Sequence, residues 1–437
     1  MSKGPGEEVS SRRAPSVPSP AVLALIVVVL VAAAVLLIVF KPLGRKGKSS
    51  MLVKEAEGLI AGQKYQEALE KAQLAVKRDP GNARARYAEA QALLALDRFE
   101  EAVSSASKAV ELDPGLAGAY NVRAWAYASL SRFTRTISDA TRAIELDPGL
   151  ARAYSIRSFA LTETGRLDKA VDDATRAIEL DPELVWGYYH RSGARIARGQ
   201  FGEAVEDATD AIRRDGNFSL AYVNRGIAET ELALYDKAIS DFNRAIELRP
   251  DYAGAYDARG AAYVYSRQYE KALPDFDRAI ELDPTFARAW ADRGWAYGEM
   301  EQLDRAIPDC TEAIKLDPGI STAYNVRGLA YFFKGQNDGA IADFTRAIEL
   351  APTWPIPYVN RGMAYYRKGD NGAFQEDFNK AVEIDPDNAR AYYARGFGYE
   401  RLGMTGNAVA DYQRAVELDR QYRDPREALN RLGVQGY

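Results

Sequence analysis

Cysteine and histidine are almost absent from this chain of 437 residues, which contains one of each, Cys310 and His190. A single cysteine excludes an internal disulfide framework and a multi-cysteine metal site. A single histidine leaves the commonest general base at one position. We therefore interpret His190 as a packed or solvated side chain and Cys310 as a packed thiol, and we predict no catalytic, cofactor or metal site.

A strong excess of basic residues is missing as well. The chain has 57 lysines and arginines against 62 acidic residues, which gives a net charge of -5. Residues 1–50 hold seven basic and two acidic residues, so the remainder, with 50 basic and 60 acidic residues, has a net charge of -10. Because nucleic-acid affinity depends largely on cationic contacts with phosphates, nucleic acid is not expected as a partner.

The amino-terminal region divides into three segments. Residues 1–20 are rich in Ser, Pro, Gly and Arg and are predicted to form a disordered tail. Residues 21–40, AVLALIVVVLVAAAVLLIVF, contain no polar side chain, and a helix of this length spans about 30 Å, the thickness of a bilayer core. We predict a transmembrane helix in the lipid bilayer, followed by a basic juxtamembrane linker at 41–48. The alternative is a cleaved signal peptide, although the run exceeds the usual ~7–15 residues and no A-x-A pattern adjoins its end.

Basic residues flank the predicted transmembrane helix unequally. Three precede it and five follow it, and short flanks rich in Lys and Arg tend to remain cytoplasmic. They are Lys3, Arg12, Arg13, Lys41, Arg45, Lys46, Lys48 and Lys54. We therefore expect a single-pass membrane protein whose body lies on the cytoplasmic side, with an extracytoplasmic body as the open alternative.

Proline recurs with a period of 34 residues through most of the chain, and Gly216 fills the one gap. The recurring prolines are Pro80, Pro114, Pro148, Pro182, Pro250, Pro284, Pro318, Pro352 and Pro386. With this proline set as position 32, residues 49–422 divide into eleven repeats without insertion or deletion. Residues 423–437 follow as a predicted capping segment. A period of this length indicates stacked supersecondary units.

Each repeat is predicted to form two antiparallel helices. Position 8 is small and position 27 is alanine in every repeat, and small side chains at helical spacing let two helix backbones approach closely. The proline at position 32 ends the second helix, because it forces the preceding residue out of the α region. Position 20 is alanine in nine repeats, with Thr136 and Phe374 as the exceptions. We expect the Phe374 ring, opposite Gly362, to wedge the two helices apart or to shift their register.

These positions are those of the tetratricopeptide repeat family, which the chain resembles over about 85% of its length. In the seventh repeat the matching residues are Tyr256, Gly260, Tyr263, Ala272, Phe276, Ala279 and Pro284. The resemblance implies an all-α fold, a right-handed α-solenoid superhelix of eleven helix-turn-helix repeats. It also implies that the first helix of each repeat lines a concave groove, which typically receives a peptide or protein.

Arginine at position 7 and aspartate at position 23 occur together in nine repeats, from Arg123 with Asp139 to Arg395 with Asp411. One interpretation is that the arginines form a track for an anionic ligand. The favoured interpretation is a ladder of ion pairs between the two helices of each repeat, worth about 0.2 to 1 kcal/mol per pair if the charges are exposed.

The candidate binding residues lie at positions that vary among the repeats. Positions 2, 5, 9 and 12 share one helical stripe, which faces the groove in tetratricopeptide repeats, and position 13 lies beside it. Aromatic side chains there suit a protein partner, and the arginines suit acidic side chains or a carboxylate. The alternative is that core packing explains some of the aromatic residues, especially at position 9. The predicted groove residues are Trp125, Phe159, Trp186, Tyr189, Tyr265, Trp295, Phe332, Phe333, Tyr366, Tyr393, Phe397, Arg152, Arg288 and Arg390.

Taken together, these patterns favour a membrane-anchored scaffold that binds a partner protein or peptide in the groove of its superhelix, and not an enzyme. The alternative is a structural role in which the solenoids associate with one another at the membrane as a homo-oligomer.

Overall fold

The structure is a computed structural model that describes residue 44 and residues 46–434. The predicted disordered tail at 1–20 and the predicted transmembrane helix at 21–40 lie outside the described residues. Of the predicted linker, residue 44 and residues 46–48 are helical. Among the described helices, none combines the length and the apolar character that crossing a membrane requires.

The described residues form 23 helices and no strand. Their bounds are α1 (46–61), α2 (Tyr65–Arg78), α3 (Ala83–Ala95), α4 (Phe99–Leu112), α5 (Ala117–Ser129), α6 (Phe133–Leu146), α7 (Ala151–Glu163), α8 (Leu167–Leu180), α9 (Val185–Ala197), α10 (Phe201–Arg214), α11 (Ser219–Glu231), α12 (Tyr235–Leu248), α13 (Ala253–Tyr265), α14 (Tyr269–Leu282), α15 (Ala287–Glu299), α16 (Leu303–Leu316), α17 (Ser321–Phe333), α18 (Asn337–Leu350), α19 (Pro355–Lys368), α20 (Asn371–Ile384), α21 (Ala389–Arg401), α22 (Thr405–Leu418) and α23 (Arg423–Arg431). The predicted eleven hairpins are confirmed, each with one odd-numbered and one even-numbered helix.

The chain forms two compact units, divided between Leu184 and Val185. The first contains the described part of repeats one to four, and the second contains repeats five to eleven with α23. In each unit the two helices of a repeat pack together, and the second helix packs on the first helix of the next repeat. First helices of successive repeats also contact one another, as α3 does with α5 and α13 with α15. The first helices therefore form one side of each stack, which we call the first-helix face.

The turns between the helices depend on backbone conformation more than on one residue type. Position 15, between the two helices of each repeat, has a positive φ in all eleven repeats, from 55° at Ser131 to 79° at Gly369. Glycine occupies this position in five repeats, and the other six use residues such as Ala233 and Arg267. At the other end of the repeat, Asp113 before Pro114 is extended, with φ -140° and ψ 93°, as the proline signal predicts.

The helices of each hairpin approach closely through a matched pair at positions 8 and 24. Repeats one to five combine Ala or Ser at position 8 with Ala at position 24, whereas repeats six to eleven combine Gly with Phe, Cys or Tyr. A Cβ atom added to Gly260 would lie 2.6 Å from Cε1 of the fully buried Phe276. The pairs with Gly are Gly226 with Phe242, Gly260 with Phe276, Gly294 with Cys310, Gly328 with Phe344, Gly362 with Phe378, and Gly396 with Tyr412.

Phe374 does not act as the wedge that the sequence predicted. Helix α20 begins and ends at the same repeat positions as the other second helices, so the register is unchanged. The fully buried ring instead lies against the next repeat, where a Cβ added to Gly398 would be 2.8 Å from Phe374 Cε2. Repeats two to ten have Ala at the position of Gly398. The missing methyl group in repeat eleven therefore makes room for the ring from repeat ten.

The last helix, α23, packs on α22 and completes the second unit. Ala428 and Leu429 are buried in a cluster with Tyr412. The Tyr412 hydroxyl donates a hydrogen bond of 2.7 Å to Glu400 Oε2, and Arg431 Nη2 donates to both oxygens of Glu400 at 3.0 and 2.8 Å. These contacts tie the end of repeat eleven to α23 through buried apolar atoms and one carboxylate.

Candidate functional site

The arginines at position 7 are structural, as the favoured interpretation predicted. In the seventh repeat, Arg259 Nε and Nη2 donate to the two carboxylate oxygens of Asp275 at 2.8 and 2.5 Å. Its Nη1 donates to Asn243 Oδ1 in the preceding repeat at 2.6 Å, so one guanidinium joins three helices. The nine pairs are Arg123 with Asp139, Arg157 with Asp173, Arg191 with Asp207, Arg225 with Asp241, Arg259 with Asp275, Arg293 with Asp309, Arg327 with Asp343, Arg361 with Asp377, and Arg395 with Asp411.

The aspartates of this ladder are buried, so the energy expected for exposed ion pairs does not apply to them. Hydrogen bonds to Asp275 raise the pKa of Arg259, so the guanidinium stays charged. Burial raises the pKa of Asp377 in the tenth repeat, although Arg361 opposes that effect. Removing one partner of such a buried pair costs about 3–5 kcal/mol, well above the value for exposed pairs. The arginines are therefore occupied inside the protein and do not form a track for an anionic ligand.

The predicted groove residues all lie on first helices but differ in exposure. Tyr265 and Phe333, at the ends of α13 and α17, are 50% and 64% exposed. Phe332 is buried, with the Arg367 guanidinium 3.5 Å above its ring, so it is not available to a partner in this structure. The other exposed residues of the set are Arg152, Arg288 and Arg390. The half-buried residues are Trp125, Phe159, Trp186, Tyr189, Trp295, Tyr366, Tyr393 and Phe397.

In the first unit, the predicted aromatic residues serve the core. Trp125 and Phe159 pack against a buried cluster that includes Ala140 and Ile156. The Phe159 ring also meets the edge of Phe133 at 5.9 Å. Core packing, which the sequence left open as the alternative at position 9, therefore explains why both side chains are half-buried.

Aromatic residues in the fifth repeat form a connected group. Trp186 and Tyr189 pack edge to face, with ring centroids 5.7 Å apart, and both contact Phe218, at 5.0 and 5.4 Å. His190 is buried beside Trp186 and Tyr189, as expected for a packed histidine. Phe218, the last residue of its repeat, is absent from the predicted set because position 34 lies outside the helical stripe.

The remaining aromatic residues form three groups along the second unit. Tyr265 and Trp295 pack edge to face at 5.1 Å and bridge repeats seven and eight. Tyr366 contacts Phe397 of the next repeat at 5.1 Å, and its ring lies 5.6 Å from the Arg401 guanidinium. Tyr393 contacts Tyr412 and Tyr422 near α23. Arg367 and Arg401, both at position 13, are functional candidates that the sequence analysis missed.

Arg288 does not have the free positive charge that the sequence suggested. Its Nε lies 3.4 Å from Oδ2 of Asp257 and 3.3 Å from Oδ2 of Asp292. Burial raises the pKa of Asp257 well above its usual value, and the charge of Asp292 raises it further, while Arg288 opposes both effects. One guanidinium faces two carboxylates, so this part of the first-helix face suits a cation better than an acidic side chain.

Nucleophilic chemistry is disfavoured at the one thiol. Cys310 is fully buried, and burial raises the pKa of its thiol, which suppresses the reactive thiolate. Within the residues that the structure describes, no group of three His, Cys, Asp or Glu side chains is placed to hold a metal ion. The first helices of the described residues carry aromatic, apolar and charged side chains on one face.

Stacked helical hairpins with a variable first-helix face define an α-solenoid repeat protein, a fold typical of protein-interaction scaffolds. Family models described as TPR repeat or Tetratricopeptide repeat match this chain at residues 53–117, 151–184, 194–253, 258–286, 287–319, 328–369, 357–388 and 376–403. The chain belongs to the tetratricopeptide repeat family.

Solved structures support the same fold. A structure described as "Crystal structure of APC/C hetero-tetramer Cut9-Hcn1" is similar to this chain with a TM-score of 0.55 and 14% identity, over 90% of this chain and 98% of that chain. At this identity the likeness concerns the fold alone. In all, 440 chains of solved structures are similar, so the fold is shared widely and does not by itself select a partner. The comparison with curated proteins found no match.

Proposed function

We propose that this protein is a membrane-anchored scaffold whose first-helix face binds a segment of a partner protein. Residues 21–40 would hold it in the bilayer, and the repeats would present the binding face beside the membrane, with the cytoplasmic side as the expected location. The tetratricopeptide repeat family is typical of non-catalytic scaffolds, which agrees with this role.

The observation that carries the proposal is the exposure of Tyr265 and Phe333 on first helices. Aromatic residues are enriched at protein interfaces, and Tyr and Trp are enriched among the residues that dominate binding energy. The hairpin positions that build the core repeat along the chain, whereas the face positions vary. A face that varies on a repeated frame is the pattern expected for selective binding.

The neighbours of these aromatic residues favour binding with little loss of freedom. Tyr265 packs on Trp295, and Phe333 packs edge to face on Phe332, with ring centroids 5.5 Å apart. The Arg367 guanidinium lies over the Phe332 ring. Side chains that are already ordered lose less conformational entropy on association, which otherwise costs about 0.5–1.5 kcal/mol per immobilised side chain.

The proposal is tested by comparing proteins captured by three forms of the whole chain in detergent. The first-helix variant Tyr265→Ala/Phe333→Ala removes two exposed aromatic rings and should lose the captured partner. The matched control Leu74→Ala/Leu112→Ala removes two exposed apolar side chains from second helices and should retain it. Equal recovery of every captured protein with both variants would refute binding at the first-helix face.

Membrane anchoring and self-association are tested separately. Alkaline extraction should leave the whole chain in the membrane fraction and release a variant lacking residues 21–40. Protease accessibility in intact cells then identifies the side of the repeats. Light scattering of the whole chain in detergent addresses the alternative structural role, because a monomeric mass at micromolar concentration would contradict assembly through the solenoids.

A further inference from the structure

The first-helix face is acidic at repeats six to eight. Asp257 on α13 and Asp292 on α15 lie beside each other and share Arg288. Glu231 and Glu299 end α11 and α15 at position 13 and are exposed. Carboxylates thus exceed the guanidinium that pairs with them on this part of the face, and the surplus is negative.

Two exposed or half-buried aromatic rings lie among these carboxylates. Tyr265 and Trp295 form the edge-to-face pair at 5.1 Å. Trp295 Nε1 donates to Glu299 Oε1 at 3.3 Å, and the Tyr269 hydroxyl donates to Glu299 Oε2 at 3.3 Å. Burial raises the pKa of the Tyr265 phenol, and the charges of Glu231 and Asp292 raise it further, which places both carboxylates within electrostatic range of the ring.

The buried part of this group has an unmet hydrogen-bonding requirement. Asp257 is 2% exposed, and its Oδ1 accepts no hydrogen bond from any residue that the structure describes. Arg288 approaches the other oxygen, Oδ2, while 64% of the Arg288 side chain remains exposed. A buried carboxylate oxygen without a donor is costly, so Arg288 compensates this carboxylate only in part.

We propose that these residues form a site for a lysine or arginine side chain of the partner segment, an inference that rests on the proposed function. We call this site the acidic aromatic patch, made of Tyr265, Trp295, Glu231, Glu299 and the pair Asp257 and Asp292. A cation within about 6 Å of an aromatic face is attracted by the ring, and the surplus carboxylates add to that attraction. An acidic side chain, which the sequence suggested for Arg288, is repelled by the same surplus.

The site is tested with a phage-displayed library of random 12-residue peptides selected on the whole chain in detergent. We expect the recovered peptides to be enriched in Lys and Arg. Their affinity should fall about five- to tenfold for Glu231→Gln/Glu299→Gln, the cost of removing two partly screened charges, and the loss should shrink at high salt. The matched control Glu247→Gln/Glu281→Gln, which neutralises two exposed glutamates on second helices, should change affinity less than twofold.

A second measurement leaves the protein unaltered. Replacing the basic residues of a recovered peptide with Gln should weaken its binding to the unmodified chain by the same five- to tenfold factor, so the conclusion does not depend on the variants folding. One outcome would overturn the patch and leave binding at the first-helix face intact. In it, the recovered peptides lose binding to Tyr265→Ala/Phe333→Ala, but they are not enriched in basic residues, or their affinity changes neither with Glu231→Gln/Glu299→Gln nor with the Gln replacements in the peptide. Recovery of no peptide, or of peptides indifferent to Tyr265→Ala/Phe333→Ala, would overturn both.

Discussion

The pairing of Gly260 with Phe276 predicts a strong energetic coupling between positions 8 and 24. Gly260→Ala places a methyl group 2.6 Å from Cε1 of the Phe276 ring. This ring is fully buried, so it cannot move out towards solvent to avoid the methyl group. Overpacking of this kind costs about 1–3 kcal/mol, and the better helix propensity of alanine returns about 1 kcal/mol. We therefore expect these two effects to leave a net loss of up to about 2 kcal/mol in local stability.

Phe276→Ala alone should cost more, because it leaves a cavity beside a glycine. Truncation of a buried Phe costs about 3–5 kcal/mol. The double variant Gly260→Ala/Phe276→Ala has the Ala and Ala pair that repeats one to three use, for example Ala90 with Ala106. The added methyl then occupies part of the cavity, so the combined cost should fall below the sum of the single costs by about 1–3 kcal/mol.

Native-state hydrogen exchange is the appropriate assay for this cycle. A stack of repeats does not unfold as one cooperative unit, so a single melting temperature would mix the responses of several hairpins. Exchange of amides in α13 and α14 instead reports the opening free energy of the seventh repeat. Costs that add within about 0.5 kcal/mol, or a Gly260→Ala variant about 1 kcal/mol more stable than the unmodified chain, would refute the argument from close packing.

Three further predictions concern the turns, the ladder and pH. Ala233→Gly should stabilise its hairpin by about 0.5–1 kcal/mol and Gly335→Ala should destabilise its hairpin by a similar amount, because the two positions have positive φ values of 57° and 76°. Hydrogen exchange of the flanking helices measures both changes, and effects of the same sign would contradict this prediction. Arg259→Gln should cost about 3–5 kcal/mol in local stability because it leaves Asp275 buried without a cation, whereas Arg278→Gln, which breaks an exposed pair, should cost under about 1 kcal/mol. Hydrogen exchange of α13 and α14 measures both losses, and equal losses would be inconsistent with a buried ladder. Burial raises the pKa of Asp257 above its unfolded value, so its contribution to stability is complete below the unfolded pKa and is lost as pH rises through the folded one. Asp257→Asn should therefore be more stable than the unmodified chain near neutral pH and lose this advantage towards about pH 4. Hydrogen exchange of α13 at the two pH values measures the difference, and an advantage independent of pH would contradict the assignment.

The hairpin frame was predictable because its signals repeat. Small residues at position 8 and proline at position 32 recur with one period, so each repeat supports the interpretation of the others. Gly398, the packing partner of Phe374, was not predicted in this way. Comparison of the repeats at position 20 alone shows only that a large ring replaces alanine. The signal was present at position 10, where Gly398 interrupts a run of alanines, but it belongs to the next repeat. Contacts between repeats require two positions to be read together.

The candidate site was only partly predictable for a related reason. A helical stripe identifies which residues share a face, but it does not tell whether a ring lies over the core or projects from it. Trp125 and Phe333 belong to the same predicted set, yet the first packs on buried alanines and the second is exposed. Likewise, the charge of Arg288 depends on Asp257 in another repeat, which is 31 positions away in the sequence.

The matched packing pairs bear on how such a chain can change its length. Gly260 and Phe276 belong to one hairpin, so duplication or loss of that whole hairpin carries both members together and creates neither clash nor void. Phe374 and Gly398 belong to different hairpins, and Glu400 depends on Arg431 in α23. The pair of Gly260 and Phe276 therefore stays intact when its hairpin is duplicated or lost, whereas repeats ten and eleven with α23 share these partners and must be inherited as one block.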